Sequence, residues 1–192
     1  TNGPLNITRG TRVNPLNLAF EKAGQQAGYH TTLDYNGKQQ EGFGPMDQTI
    51  KNGKRWSSAK AYLEPAIRSG KCLIVRGLVT KIIINEKQAE GVEYFQNGKT
   101  ECIYASKEVI IAASAINSPK ILSLSGIGPA EELKTVGIEV IADRPGVGKN
   151  LQDHLELYIQ MMAKTPVSLY KYWNPLGKAW VGLQWLLSKS GP

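Results

Sequence analysis

The sequence predicts an α/β fold with an attached antiparallel β-meander, and three observations carry that prediction. The continuous apolar run Glu108-Val109-Ile110-Ile111-Ala112-Ala113 passes through a turn of small residues into a helical pattern at Pro119-Lys120-Ile121-Leu122, the order of a βα unit. Residues 91–95 and 100–104 are strand-like and meet across Gln96-Asn97-Gly98-Lys99, where Asn-Gly supplies the positive φ that a two-residue hairpin needs at both positions. The 192 residues are 41% hydrophobic and 20% charged, which excludes a wholly disordered chain and suffices for a buried core.

Taken in order, residues 1–15 are rich in Gly, Asn, Thr and Pro and predict an irregular lead-in. Asn14-Pro15 opens a helix with Leu16, Leu18, Ala19, Phe20, Ala23 and Ala27 as its apolar stripe and Gly28 as its stop. Residues 29–57 are polar and Gly-rich, with turn signals at Asp34-Tyr35-Asn36-Gly37 and Lys51-Asn52-Gly53, and predict loops and extended pieces. Ser57 or Ser58 caps a helix that runs to about Arg68 and ends at Gly70. Strands follow at residues 73–75 and 78–85, then the hairpin, then a strand over residues 109–113 buried on both faces of a parallel sheet. Ser118-Pro119 starts the next helix, and Pro129 another, with Glu131 and Glu132 in its first turn and Gly137 as its stop. Residues 138–141 and 151–162 predict strands, and residues 180–187 an amphipathic helix whose Trp180 and Trp185 belong to the core.

A net charge of +7 raises the question of an anionic partner, but Lys and Arg are scattered from Arg9 to Lys189, with the densest group only Lys51, Lys54 and Arg55. Nucleic-acid binding concentrates such residues on one face, so no nucleic-acid partner is expected, and the basic balance likewise gives no sign of a membrane surface. The longest apolar stretches, residues 109–116 and 179–187, fall short of the roughly 20 residues of a membrane-spanning helix. Cys72 and Cys102 lie in strand-like runs without metal-ligand spacing and are expected as buried free thiols; no metal site is expected. His30 and His154 belong to no recognisable nucleophile-base arrangement, and Asp153-His154 on one strand would point to opposite faces, so no catalytic residue is assigned. Arg144-Pro145-Gly146-Val147-Gly148 is not a dinucleotide fingerprint, because Leu151 stands where a third Gly should fall. The start at Thr1-Asn2-Gly3 and the end at Gly191-Pro192, just past an apolar segment, predict an internal piece of a longer chain.

The stretch Ser114-Ala115-Ile116-Asn117-Ser118-Pro119-Lys120-Ile121-Leu122-Ser123-Leu124-Ser125-Gly126-Ile127-Gly128 resembles the second sequence motif of the glucose-methanol-choline family of FAD-dependent oxidoreductases. Gln39-Gln40-Glu41-Gly42-Phe43-Gly44-Pro45-Met46, Ala61-Tyr62-Leu63, Gly91-Val92-Glu93-Tyr94, Pro145-Gly146-Val147-Gly148, Asn150-Leu151-Gln152-Asp153-His154-Leu155-Glu156 and Pro166-Val167-Ser168-Leu169-Tyr170 are similar to corresponding parts of its choline-dehydrogenase branch. Within the motif, Ser114, Ala115, Ser118, Pro119, Ser125, Gly126 and Gly128 are the matching positions.

The resemblance implies a Rossmann-like FAD-binding sheet and a hydride transfer from choline to FAD that yields betaine aldehyde. It implies FAD contacts at Val79, whose backbone would meet the adenine, and at Ala112, Ala113 and Ser114, where small side chains at a strand end let the backbone approach a ligand. It divides the chain into residues 1–70, loops and short helices covering substrate and cofactor; residues 71–150, a portion of the FAD-binding domain; and residues 151–192, the start of the substrate-binding domain. Neither histidine matches the family's catalytic position, so the isolated chain is expected to be inactive, and exposed apolar surface is expected to make it poorly soluble. A small-molecule alcohol is the implied partner, with the electron acceptor open, membrane association of the intact enzyme allowed, and a mitochondrial address implied only by the animal enzymes. Two other readings stay open: a family member acting on another primary alcohol or a sugar, and a non-catalytic basic domain binding an anionic partner.

Overall fold

A computed structural model describes residues 3–11 and 14–192; Thr1, Asn2, Arg12 and Val13 of the expected lead-in lie outside the described residues. The elements run β1 (Thr8–Arg9), α1 (Pro15–Gln26), β2 (Asp47–Gln48), β3 (Ile50–Lys51), β4 (Lys54–Arg55) and a π-helical turn (Ala59–Leu63) continuing into α2 (Glu64–Arg68). Then come β5 (Leu78–Asn85), β6 (Gln88–Gln96), β7 (Lys99–Tyr104), α3 (Ser114–Leu124), β8 (Ile127–Gly128), α4 (Ala130–Thr135), β9 (Ala142–Asp143), a 3₁₀ turn (Leu169–Tyr172) and α5 (Pro175–Ser188). Two units form: one from Thr1–Leu73 with Ile159–Pro192, the other from Ile74–Tyr158.

In the first unit, Asn14 caps α1 by accepting the Leu16 N–H at 2.9 Å, with Pro15 at the first helical position, where its missing N–H costs nothing. α1 packs by letting a ring come close: Gly24 is buried against Phe43, which Phe20 and Tyr29 flank at ring-centre distances of 5.1 and 5.6 Å. Leu16, Leu18 and Phe20, expected as a core stripe, remain largely exposed. β1 pairs with β2, and β3 turns into β4 at Asn52-Gly53, both residues at positive φ. Asn174 caps α5 by accepting the Gly177 N–H at 2.7 Å, so this helix starts five residues before the sequence pattern indicates. Trp185 anchors it by donating its indole N–H to Gly53 O at 2.8 Å, whereas Trp180, expected in the core, is 62% exposed.

The second unit is built on the antiparallel meander β5-β6-β7. Both of its turns have two residues at positive φ: Asn97-Gly98 at 51° and 79°, as expected, and Glu86-Lys87 at 48° and 68°, where the residue types give no such signal. Thr80 bulges out of register between Val79 and Lys81 and donates its hydroxyl to the Glu93 carboxylate at 2.6 Å, which, with Lys81 nearby, holds that carboxyl below its usual range. Ile82 and Tyr94 are buried, and the Tyr94 phenol donates to Glu101 Oε2 at 2.7 Å; that hydrogen bond to a carboxylate pushes the phenol pKa up.

α3 lies against β5, and one hydroxyl joins them. Ser125, just past the end of α3 and 5% exposed, accepts the Ile82 N–H at 2.8 Å and donates to Ile121 O at 2.6 Å. Gly126 follows at φ 76°, where a Cβ would stand 2.4 Å from Glu139 O, so only glycine fits; its carbonyl accepts from the N–H groups of Ile141 and Ala142. β8 then pairs in parallel with β9, and Asp143 accepts the Ala130 N–H at 3.1 Å to start α4, whose Leu133 is 3% exposed.

Several expectations are overturned. Residues 109–113 form no strand: no described strand lies beside them, and Ile110 is 78% exposed, because a parallel strand exists only through neighbours that take up its N–H and C=O groups. Residues 73–75 and 151–162 likewise form no strand, with Leu155 and Met162 almost fully exposed. The strand expected at residues 138–141 is displaced to β9, where the carbonyls of Gly126 and Gly128 offer acceptors. α3 starts at Ser114 rather than at Pro119. Cys102 is exposed because β7 is an edge strand with every residue exposed, and Cys72, in the segment before β5 that forms no strand, is half-buried.

In the full-length protein, Ser125→Ala leaves the buried Ile82 N–H without its acceptor and should cost about 1–3 kcal/mol in urea unfolding, with Ser125→Thr recovering part of the loss. Glu101→Gln removes the carboxylate that holds the Tyr94 proton, so the Tyr94 titration followed by ring NMR should move down toward the ordinary phenol value. Because the folded pKa is raised, the pair's stabilisation is present below the ordinary phenol pKa and is lost as pH rises through the raised one; Glu101→Gln should remove that alkaline dependence.

Candidate functional site

The residues that resemble a cofactor-binding motif fall into two groups once their contacts are traced. Ser118, Ser125, Gly126 and Gly128 form the frame. Ser118 Oγ accepts the Ala113 N–H at 3.1 Å, tying the start of α3 to the segment that enters it. Pro119 sits inside α3 and has no N–H, so the Ala115 carbonyl has no partner one turn on. Gly128 is buried, and its carbonyl accepts the Arg144 N–H at 2.9 Å. Ser125 and Gly126 close the far end of the helix as described above.

The second group is Ala112, Ala113, Ser114 and Ala115. Ala112, Ser114 and Ala115 are exposed and Ala113 half-buried, so small side chains form an open ledge where the extended segment turns into α3. Ser114 sits at φ 74°, a left-handed conformation that costs a residue with a Cβ about 1–2 kcal/mol. That strain turns the chain sharply and leaves the first-turn N–H groups of α3 directed outward, as at any helix N-terminus. Sequence reasoning named Ala112, Ala113 and Ser114 as cofactor contacts and Ala115 as a motif position, and it missed the left-handed turn; a serine where glycine is the comfortable residue was the available signal.

Val79 is half-buried on β5, paired with Tyr94 and next to the Thr80 bulge. It and the α3 ledge lie on the two elements that the Ser125 hydroxyl joins. Beside α3 opens a cleft of about 920 Å³ lined by Ala115, Ser118, Leu133, Asn150 and Gln152 among others. On its rim Lys149 Nζ meets Glu132 Oε1 at 2.6 Å, a pairing the sequence did not indicate. The turn leading to Asn150 is built from Val147 N–H to Arg144 O and Lys149 N–H to Gly146 O bonds, with Gly148 and Asn150 both at positive φ.

The histidines do not converge. His30 belongs to the first unit, where its carbonyl accepts the Phe43 N–H; His154 is exposed in the extended run of the second, its backbone N–H bonded to Asp153 Oδ1. Among the described residues no group of three or more His, Cys, Asp or Glu side chains is placed to hold a metal ion.

Comparison with known proteins agrees with the motif. The chain is 58% identical, along its whole length, to the oxygen-dependent choline dehydrogenase of the bacterium Brucella anthropi, and spans 35% of that protein. Its structure matches formate oxidase with a TM-score of 0.81 at 26% identity, covering all of this chain and 34% of that one. An FAD-dependent oxidoreductase from Chaetomium thermophilum matches with a TM-score of 0.77 at 28% identity, again over all of this chain and 34% of the other. A mitochondrial address finds no support in a bacterial relative of this kind. Residues 1–156 match the family model described as GMC oxidoreductase, and with that match over most of its length the chain belongs to the GMC oxidoreductases, a family whose cofactor is FAD.

Proposed function

We propose that this chain is part of an FAD-dependent alcohol oxidoreductase that converts choline to betaine aldehyde. The observation that carries the reading is the 58% identity, sustained over the entire chain, to a choline dehydrogenase. In the reaction the carbinol C–H bond breaks with its electron pair leaving as hydride, the hydroxyl proton passes to a base, and the C=O bond forms. Bound FAD supplies the two-electron acceptor. The relative is named as oxygen-dependent, and dioxygen is proposed here as the further electron acceptor.

This chain's own share is to hold the cofactor and shape its surroundings. The ledge of Ala112, Ala113 and Ser114 suits a close approach of the main chain to FAD, because none of these side chains extends past a β-carbon or a hydroxyl. The backbone at Val79 meets the adenine end. Ser118, Pro119, Ser125, Gly126 and Gly128 hold the helix on which the ledge is mounted. His30 and His154 take no part in proton transfer. Residues 71–150 supply the cofactor-binding portion, residues 1–70 the cover over substrate and cofactor, and residues 151–192 the beginning of the substrate-binding part.

A second reading keeps the family and changes the alcohol. The close structural match to formate oxidase favours it, since this portion of the fold is shared by enzymes whose names carry other substrates.

Assayed with dioxygen, the full-length protein should show a kcat/KM for choline at least about a hundredfold above that for glucose or benzyl alcohol. A preference for either competitor would replace the substrate and leave the family intact. Residues 1–192 expressed alone should turn over no choline. Full-length Ala112→Leu should lose visible flavin absorbance after gel filtration while keeping its far-ultraviolet circular dichroism; full flavin retention would remove the ledge from the cofactor site.

A further inference from the structure

β5 spends an extra residue where a regular hairpin needs none. Val79 faces Tyr94 and Lys81 faces Glu93, so β5 advances two residues while β6 advances one, and Thr80 is left without a partner in the register. A bulge of this kind interrupts the hydrogen-bond ladder and bends its strand, and such bulges gather next to sites where the chain must be re-aimed. This one has its own fastening. The Glu93 carboxylate accepts the Thr80 hydroxyl at 2.6 Å through Oε1 and meets Lys81 Nζ at 3.5 Å through Oε2, so one side chain of β6 grips both residues that follow Val79. A hydroxyl proton given to a charged oxygen at that distance makes one of the stronger side-chain hydrogen bonds.

The other side of Val79 is fixed as well. Its partner Tyr94 is buried with the phenol bonded to Glu101, and Gly77 lies so close to that ring that a Cβ there would stand 2.5 Å from it. The main chain at Val79 therefore enters the bulge from a rigid seat. The sheet ladder does not hold an unpaired residue, so the Thr80–Glu93 bond decides how the chain at Val79 is presented. Presentation matters for a base read by main-chain groups. Adenine offers an amino donor beside a ring-nitrogen acceptor; in hypoxanthine a carbonyl acceptor stands beside a ring N–H, so a main chain held in one position accepts the first and leaves polar groups unpaired against the second.

We propose that Thr80 and Glu93 are positioning residues for the adenine end of FAD, their bond fixing the bulge and through it the main chain at Val79. The proposal rests on the reading that Val79 meets the adenine. The test titrates the full-length protein, freed of its flavin, with FAD and with the analogue that carries hypoxanthine in place of adenine, followed by flavin fluorescence. The unmodified protein should bind FAD at least about tenfold more tightly than the analogue. Thr80→Val keeps the side-chain shape and loses the hydroxyl; it should lower that ratio to about threefold or less, and Thr80→Ser should restore it. Asn85→Ala removes another bond between the same two strands, Asn85 Nδ2 to Glu90 Oε1 at 3.1 Å beside the second register shift, and should leave the ratio unchanged. A ratio that survives Thr80→Val, or one that Asn85→Ala lowers equally, overturns the proposal and leaves the adenine reading standing. An unmodified protein without preference removes the adenine reading, and the proposal with it. If Thr80→Val does not fold, Glu93→Gln decides: a ratio reduced at least about threefold supports the proposal, and an unchanged ratio overturns it.

Discussion

The second unit depends on one side-chain oxygen. Ser125 stands between a strand and a helix, takes the N–H of Ile82 and gives its proton to the carbonyl of Ile121, so the two elements are joined by polar bonds. A hydroxyl is the smallest group that both accepts and donates, and at 5% exposure neither bond is open to replacement by water. Gly126 lies next to it because the chain must turn where no Cβ fits, and the carbonyl freed by that turn organises the parallel pair that follows. The ledge of small residues is held at one end of α3 by the Ser118–Ala113 bond, while Ser125 and Gly126 fix the other end.

Much of the local structure was legible in the sequence. Asn14-Pro15, Asn97-Gly98, Gly126 and Pro129 act through their own φ preferences or side-chain oxygens, and α1, the β6–β7 turn and α4 stand where those residues indicated. What misled was burial. The runs at residues 109–113 and 151–162 have the composition of strands, but a strand is a relation between segments, and no described segment completes it. The same reasoning explains Cys102 and Trp180, whose apolar character predicted a core that their elements do not meet on that side.

The candidate site was legible in a different way. Its residues were found through a motif, and the structure separates that motif into positions with a mechanical role and positions left open. Ser118, Ser125, Gly126 and Gly128 are committed to hydrogen bonds or close contacts within the unit. Ala112, Ser114 and Ala115 are small and exposed. No pattern of residue types distinguishes these groups, because the distinction rests on which hydroxyl meets which backbone group. Ser114 shows the limit clearly: its left-handed backbone is invisible in composition and yet turns the chain into the helix.

The two tight turns of the meander have a consequence for how the chain acquires its shape. Each joins neighbouring strands through only two residues, so the whole pairing of residues 78–104 is encoded at short range along the chain. Hairpins of this kind close in about 1–10 μs, far faster than contacts that bring distant segments together. The meander can therefore be complete before residues 114–125 have left the ribosome, at synthesis rates of roughly 5–20 residues per second. Ser125 then arrives last, at a strand edge that is already waiting for it.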